Sequence, residues 1–336
     1  MCIRDRICCD LDLPDAIFSM VKHDARLLTG FDKASLPARK PSSNKGCFGH
    51  VLIVGGNSGM PGAAILAARA ALRTGAGLVT ILTLAQHLSA ITNAVPEVMI
   101  KICAHDASEE ADFPSVEEVF RQPFIDDITH VAAGMGLGRD EWALSVLRHC
   151  LKLEIPALID ADGLNLLAEH SELMDEISLK SLVITPHPGE ASRLLSAKLR
   201  SLETGSTESA SIQPVSTKHE LTAADVQKDR FAAVKNIHQM FQLDEFTVVL
   251  KGSGTLIFDG DEVKICELGN AAMSAPGMGD VLSGIIIALQ AQSISFCKSA
   301  ELGVCLHALV AQNISGQNTR GLLASDVIDA LPQELR

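Results

Sequence analysis

The sequence predicts an α/β fold of the doubly wound kind, a mostly parallel sheet with helices on both faces. From His50 onward, short β-branched runs alternate with longer stretches of helical periodicity. The short runs are apolar almost throughout, as strands must be when helices cover both faces of their sheet. At 336 residues and 47% hydrophobic content, the chain is also long and apolar enough to bury one large core.

In chain order, HVLIVGG from His50 is the first such strand, AAILAARAALRTG the helix after it and GLVTILT the second strand. THVAAGMGLG, PALIDADG, SLVITPHPG and FTVVLKGSG supply four more. TLIFDG and DEVKICEL read as two strands joined by Asp259-Gly260-Asp261, an Asp-Gly hairpin signal that makes the sheet mixed at that edge. Helices follow from Gly277 to about Gln292 and from Ser299 to about Ile314, with a short one near Ser325 to Leu331. Pro37 to Gly46 and Ser201 to Thr222 are polar and small, and read as surface loops.

Composition excludes several classes of partner. A net charge of -13 gives no general affinity for nucleic-acid backbones or anionic lipid, so an anionic ligand must be held locally. The nine cysteines are scattered and lack metal-ligand spacing, which reads as reduced thiols in a cytoplasmic protein. The run Val281 to Gln290 is far shorter than the roughly 20 residues of a membrane span. The opening MCIRDR has no apolar segment after its charges and reads as translated adapter sequence rather than a signal peptide. Residues 7–36 then read as a linker or the remnant of an upstream domain, and residues 37–336 as the main domain.

Four segments carry candidate chemistry. In GNAAMSAPGMGDVLSG a Pro-Gly-Met-Gly turn runs into an apolar helix, so Gly277, Met278 and Gly279 offer an anion hole at a helix start. Asp280 beside it is either a helix cap or a base that takes a proton from an attacking hydroxyl. In VVLKGSGT, Lys251 and Thr255 could hold nucleotide phosphates while Gly252 and Gly254 keep the backbone close; the plainer reading of Lys251 is a solvated strand end. TPHPGE stands at a strand end, where open α/β sheets place ligands. There His187 could touch a ligand or merely sit in a rigid turn, and Glu190 could hold a metal or its water. Asp160 and Asp162 also stand at a strand end, as Mg2+ ligands or, for Asp162, as a cap. In VGGNSGMPGAA the spacing is not G-x-G-x-x-G and no acidic residue ends the next strand, which argues against a hydride-transferring dehydrogenase.

Taken together, GHVLIVGGNSGMPGAA, LRTGAGLVT, AAGMGLG, DADGLNLLA, ITPHPGE, VVLKGSGT, GNAAMSAPGMGDVLSG and GLLASD resemble, in this order over about residues 40 to 332, the ADP-dependent NAD(P)H-hydrate dehydratase family. The resemblance implies a ribokinase-like fold and a kinase-like first step, followed by loss of phosphate to restore NADH or NADPH. It implies Asp280 as the base, with Gly277, Met278 and Gly279 as the anion hole. Lys251, Gly252, Ser253, Gly254, Thr255 and Gly279 would bind ADP or ATP. Ala63, Gly136, His187 and Asp280 would line the hydrated-cofactor site. Mg2+ is implied with the phosphates, as are a homotetramer and, for residues 7–36, a lost epimerase domain. Two departures stand out: Met135 and Pro276 occupy positions where the family commonly has Pro and Gly. A ribokinase-like vitamin kinase would share the anion hole and the aspartate, and VGGNSGMPGAA, DADGLNLL and TPHPGE separate the two readings.

Overall fold

The computed structural model describes residues 24–106, 108–109, 112–204 and 220–336. Its ten strands are β1 (Ala25–Leu28), β2 (His50–Val54), β3 (Leu78–Thr83), β4 (Met99–Ile102), β5 (His130–Ala133), β6 (Ala157–Ile159), β7 (Leu182–Ile184), β8 (Phe246–Leu250), β9 (Thr255–Phe258) and β10 (Val263–Cys266). They form one sheet in the order β1-β10-β9-β8-β7-β6-β5-β2-β3-β4. β9 alone runs against the others, paired antiparallel with β8 and β10. The predicted hairpin is therefore present, with Phe258 opposite Val263.

The helices are α1 (Pro61–Thr74), α2 (Leu88–Ala94), α3 (Val116–Phe120), α4 (Glu141–Leu151), α5 (Ala161–Glu169), α6 (Pro188–Thr204), α7 (Ala223–Lys228), α8 (Arg230–His238), α9 (Met278–Ala291), α10 (Phe296–Ser315) and α11 (Ala324–Glu334). They cover both faces, because successive strand side chains point to opposite sides. Leu52 and Val54 pack with Trp142 and Leu147 on one face, and Val51 and Ile53 pack with Ala64, Leu282 and Ile286 on the other. A strand buried on both faces has no polar side, which is why all five residues of β2 and all five of β8 are buried.

Three features differ from the sequence reading. β1 and β4 were not foreseen: each has four residues, sits at an edge of the sheet, and leaves part of its length exposed, so neither carries the continuous apolar signal of a central strand. β1, within the stretch expected as remnant or linker, pairs in parallel with β10 of this sheet. Finally, α6 continues to Thr204, into the expected polar loop, and residues 205–219 of that loop lie outside the described residues.

Order along the sheet decides where a ligand can sit. The chain leaves β2 toward β3 and β4, then returns across β2 to β5 and proceeds outward through β6, β7 and β8. The direction of winding reverses between β2 and β5, and open α/β sheets bind ligands at such a reversal, beyond the carboxyl ends of the strands.

Candidate active site

Five neighbouring parallel strands deliver five loops to one end of the sheet, and every candidate segment lies in one of those loops or at the start of α9. After β2 and β5, the glycine turns interlock: the Gly56 amide donates to the Met135 carbonyl at 3.2 Å and the Asn57 amide to the Gly136 carbonyl at 2.7 Å. A Cβ at Gly55 would run into that same Met135 oxygen, so the approach of these loops requires glycine there. Gly136 and Ala63 are neighbours: a Cβ built on Gly136 would lie 3.0 Å from that of Ala63. Met135 is fully buried.

Asn57 pins this corner, which sequence reasoning missed. Its buried side-chain amide donates to the Leu137 carbonyl and to Asp140, both at 2.9 Å, and its own oxygen accepts from the Ser58 amide at 2.6 Å. Asp162 does not cap α5; Asp160 occupies the cap position, and the Asp162 carboxylate accepts from the Gly138 amide at 2.9 Å, joining the β6 loop to the β5 loop.

Asp160, only 1% exposed, is the hub of the site. A carboxylate buried that deeply must be paired and hydrogen-bonded to persist. Lys251 from the end of β8 donates to one oxygen at 2.7 Å, and Ser283 from α9 donates to the other at 2.8 Å. Lys251 is thus no solvated strand end. Its ammonium also stands 3.8 Å from Glu190. Burial works against the lysine charge, but Asp160 and Glu190 outweigh it and hold the Lys251 pKa above the usual value. Burial pushes the Glu190 carboxyl upward, with Lys251 offsetting part of that rise.

The expected metal ligands Asp160 and Glu190 accordingly flank a side-chain cation rather than an open slot. With the Lys251 cation already 2.7 Å from Asp160 and 3.8 Å from Glu190, a directly ligated Mg2+ between them would meet a like charge, and the pair does not fit one.

The TPHPGE turn is rigid, as one reading of His187 had it. The His187 Nδ1 accepts from the Gly189 amide at 2.9 Å, which rigidifies the turn, and its Nε2 lies 3.2 Å from Glu190 while half the side chain stays exposed. Burial, then Lys251 and Arg193, lower its pKa, so the ring is neutral near pH 7.

Asp280 is not the cap of its helix. Gly277 is the cap of α9, holding φ at 84°, and Asp280 lies within the first turn beyond it with no capping bond to make. Burial pushes its carboxyl up to about 7, with the negative charges of Asp160, Asp162 and Glu190 adding and Lys251 subtracting. A carboxyl poised near neutrality beside the free amides of a fourteen-residue helix is suited to take a proton while an anion is held next to it. Gly279 closes the arrangement: a Cβ there would lie 3.4 Å from the Lys251 ammonium and 3.6 Å from Asp160.

On the outer side of Lys251, Gly252 and Gly254 hold positive φ, and the Thr255 hydroxyl donates to the Gly252 carbonyl at 3.1 Å. Arg230, at the start of α8, sends its guanidinium beneath this turn. The sequence marks this turn but not Arg230, some twenty residues before it, as its partner. Ser283 did carry a signal: three residues beyond Asp280 on one helix, it shares that residue's face.

The arrangement has known counterparts. A family model described as NAD(P)H-hydrate dehydratase matches residues 51–333. A bifunctional NAD(P)H-hydrate repair enzyme of Coxiella burnetii is 37% identical over 96% of this chain and 57% of its own length. The chain therefore spans little more than half of that relative. An ADP-dependent (S)-NAD(P)H-hydrate dehydratase of Neisseria meningitidis is 35% identical, with 87% of each chain covered. Among solved structures, an ADP/ATP-dependent NAD(P)H-hydrate dehydratase from Bacillus subtilis, co-crystallised with ATP/Mg2+, is 25% identical with a TM-score of 0.68, covering 90% of this chain and 94% of that one. The fold is ribokinase-like as expected, and since the matched span takes in all five pocket loops and Asp280, the chain belongs to the NAD(P)H-hydrate dehydratase family.

Proposed function

We propose that this chain dehydrates the S-epimer of hydrated NADH and NADPH, converting ADP to AMP and phosphate as it does so. One observation carries the reading: Asp280, its carboxyl raised to about 7, stands in the first turn of α9 against the buried Asp160–Lys251 pair. In the first step the hydroxyl of the hydrated ring attacks the terminal phosphoryl group of ADP. The oxygen–phosphorus bond forms, the bond to AMP breaks, and Asp280 takes the hydroxyl proton. The amides at Gly277, Met278 and Gly279 hold the transferring group, and Lys251 adds a fixed positive charge. In the second step the carbon–oxygen bond breaks, phosphate leaves, and a proton is lost from the neighbouring ring carbon, restoring the reduced nicotinamide.

The loops of β2 and β5, with Ala63 and Gly136 in contact, and His187 at the mouth form the hydrated-cofactor side. Lys251 through Thr255 form the nucleotide side. Mg2+, bound through the nucleotide phosphates rather than by Asp160 and Glu190, would offset phosphate charge. Among the described residues no helix is long and apolar enough to cross a membrane, and none of the six described cysteines is in a disulfide; a cytoplasmic homotetramer is the setting we propose.

The test follows both products. Chromatography should find AMP and free phosphate in equal amounts only when hydrated cofactor is present, and Asp280→Asn should form neither. A phosphorylated alcohol accumulating in place of free phosphate would replace this reading with that of a kinase.

A further inference from the structure

Arg230 is not used by the chemistry described so far, yet its surroundings are unusual for an arginine. Its guanidinium donates to three carbonyl oxygens of one turn: Ser253 at 2.8 Å, Gly254 at 2.9 Å and Leu250 at 3.1 Å. A Cβ at Gly252 would sit 3.1 Å from one of its terminal nitrogens, so the group is packed directly against the turn. The Thr255 hydroxyl takes the Gly252 carbonyl, and four of the five carbonyls from 250 to 254 are thereby occupied by donors.

Charge makes the arrangement informative. Among the described residues, no carboxylate lies within ion-pair distance of Arg230, and its Nε is buried without a partner. Asp229 beside it is committed to the Ala232 amide at 2.8 Å as the cap of α8. A desolvated guanidinium normally has a carboxylate beside it, because carbonyl dipoles alone compensate a full charge poorly. Carbonyl oxygens pointing at a phosphate would repel it, whereas a turn whose oxygens are occupied presents amides and a net positive field.

We propose that Arg230 is a positioning residue for the nucleotide: it ties up the carbonyls of residues 250–254 and leaves its charge uncompensated until a nucleoside diphosphate occupies the turn. This rests on the assignment of that turn as the nucleotide side of the pocket. Arg230 touches no reacting atom, so its loss acts through the turn.

The experiment measures ADP binding by titration calorimetry, without hydrated cofactor, for the wild type, Arg230→Met and Arg230→Lys, and then the KM of the hydrated cofactor for each. Losing a charged group that makes three bonds should weaken ADP about tenfold or more in Arg230→Met. Arg230→Lys keeps the charge but loses the planar fork, and should fall between methionine and wild type. The KM for hydrated cofactor should stay within about twofold. Should Arg230→Met fail to fold, Arg230→Lys decides alone. ADP affinity equal to wild type in a folded variant overturns the proposal, as does an equal rise in both constants, which marks a purely structural staple. A wild type that binds no ADP at all would instead overturn the nucleotide assignment of the turn.

Discussion

Replacing Asp280 with asparagine removes a charge that the fold holds against its preference, so the variant should gain stability as it loses activity. The carboxyl is raised from 3.8 to about 7, chiefly by burial and then by Asp160. Between those values the native state holds a proton that the unfolded chain has released, so stability falls as pH rises through this window and levels off above about 7. Each pH unit is worth about 1.4 kcal/mol, and a separation of about three units makes the ionised carboxylate cost up to about 4 kcal/mol at pH 8. At pH 5 the same reasoning gives about 1.5 kcal/mol, and below pH 4 almost nothing. Asparagine does not titrate, while groups remote from position 280 titrate alike in both proteins and only Asp160, Asp162, Glu190 and Lys251 feel the lost charge. Urea denaturation of the two at pH 5 and pH 8 therefore reports the aspartate together with its coupling to those neighbours. Asp280→Asn should be the more stable protein at pH 8, with the gap closing by about 2–3 kcal/mol at pH 5. A difference that does not change with pH, or a variant less stable at pH 8, would refute the argument that Asp280 is held near neutrality.

Lys251→Met should leave the buried Asp160 carboxylate without its cation and cost about 3 kcal/mol or more, read as a lowered urea midpoint at pH 8, together with weakened ADP binding. Ser283→Ala removes the other donor to Asp160 and should cost about 1–2 kcal/mol in the same assay. Gly55→Ala drives a methyl group into the Met135 carbonyl and should destabilise by about 2 kcal/mol or more. Since that contact joins the β2 and β5 loops, a raised KM for the hydrated cofactor should accompany it, with ADP binding retained.

What could be read from the sequence depended on how local the signal was. The central strands announced themselves because burial on both faces leaves no room for polar residues, as in HVLIV and FTVVL. The hairpin was visible in Asp259-Gly260, and α9 in the glycine turn that starts it. β1 and β4 were not visible: a four-residue edge strand buries too little to leave a pattern. The glycines and charged residues at strand ends marked the pocket loops, since open sheets gather ligands there. Roles within those loops were a different matter. How far the Asp280 carboxyl is raised, and whether Lys251 was solvated or paired, turned on partners more than a hundred residues or about ninety residues away, Asp160 in both cases. Asp160 itself was expected to face a metal and instead faces an ammonium. Arg230 and Asn57 act on backbone carbonyls, and a contact to a carbonyl leaves no trace in the identity of its partner.

The most direct test of the account is absorbance at 340 nm as the protein meets chemically prepared hydrated NADH with Mg2+, with and without ADP, beside Asp280→Asn. The account predicts a rise that requires ADP and that the asparagine variant, folded and more stable at pH 8, does not produce. An unchanged rise in the variant would contradict the role of Asp280, and no rise from folded wild type with either ADP or ATP would contradict the dehydratase reading itself.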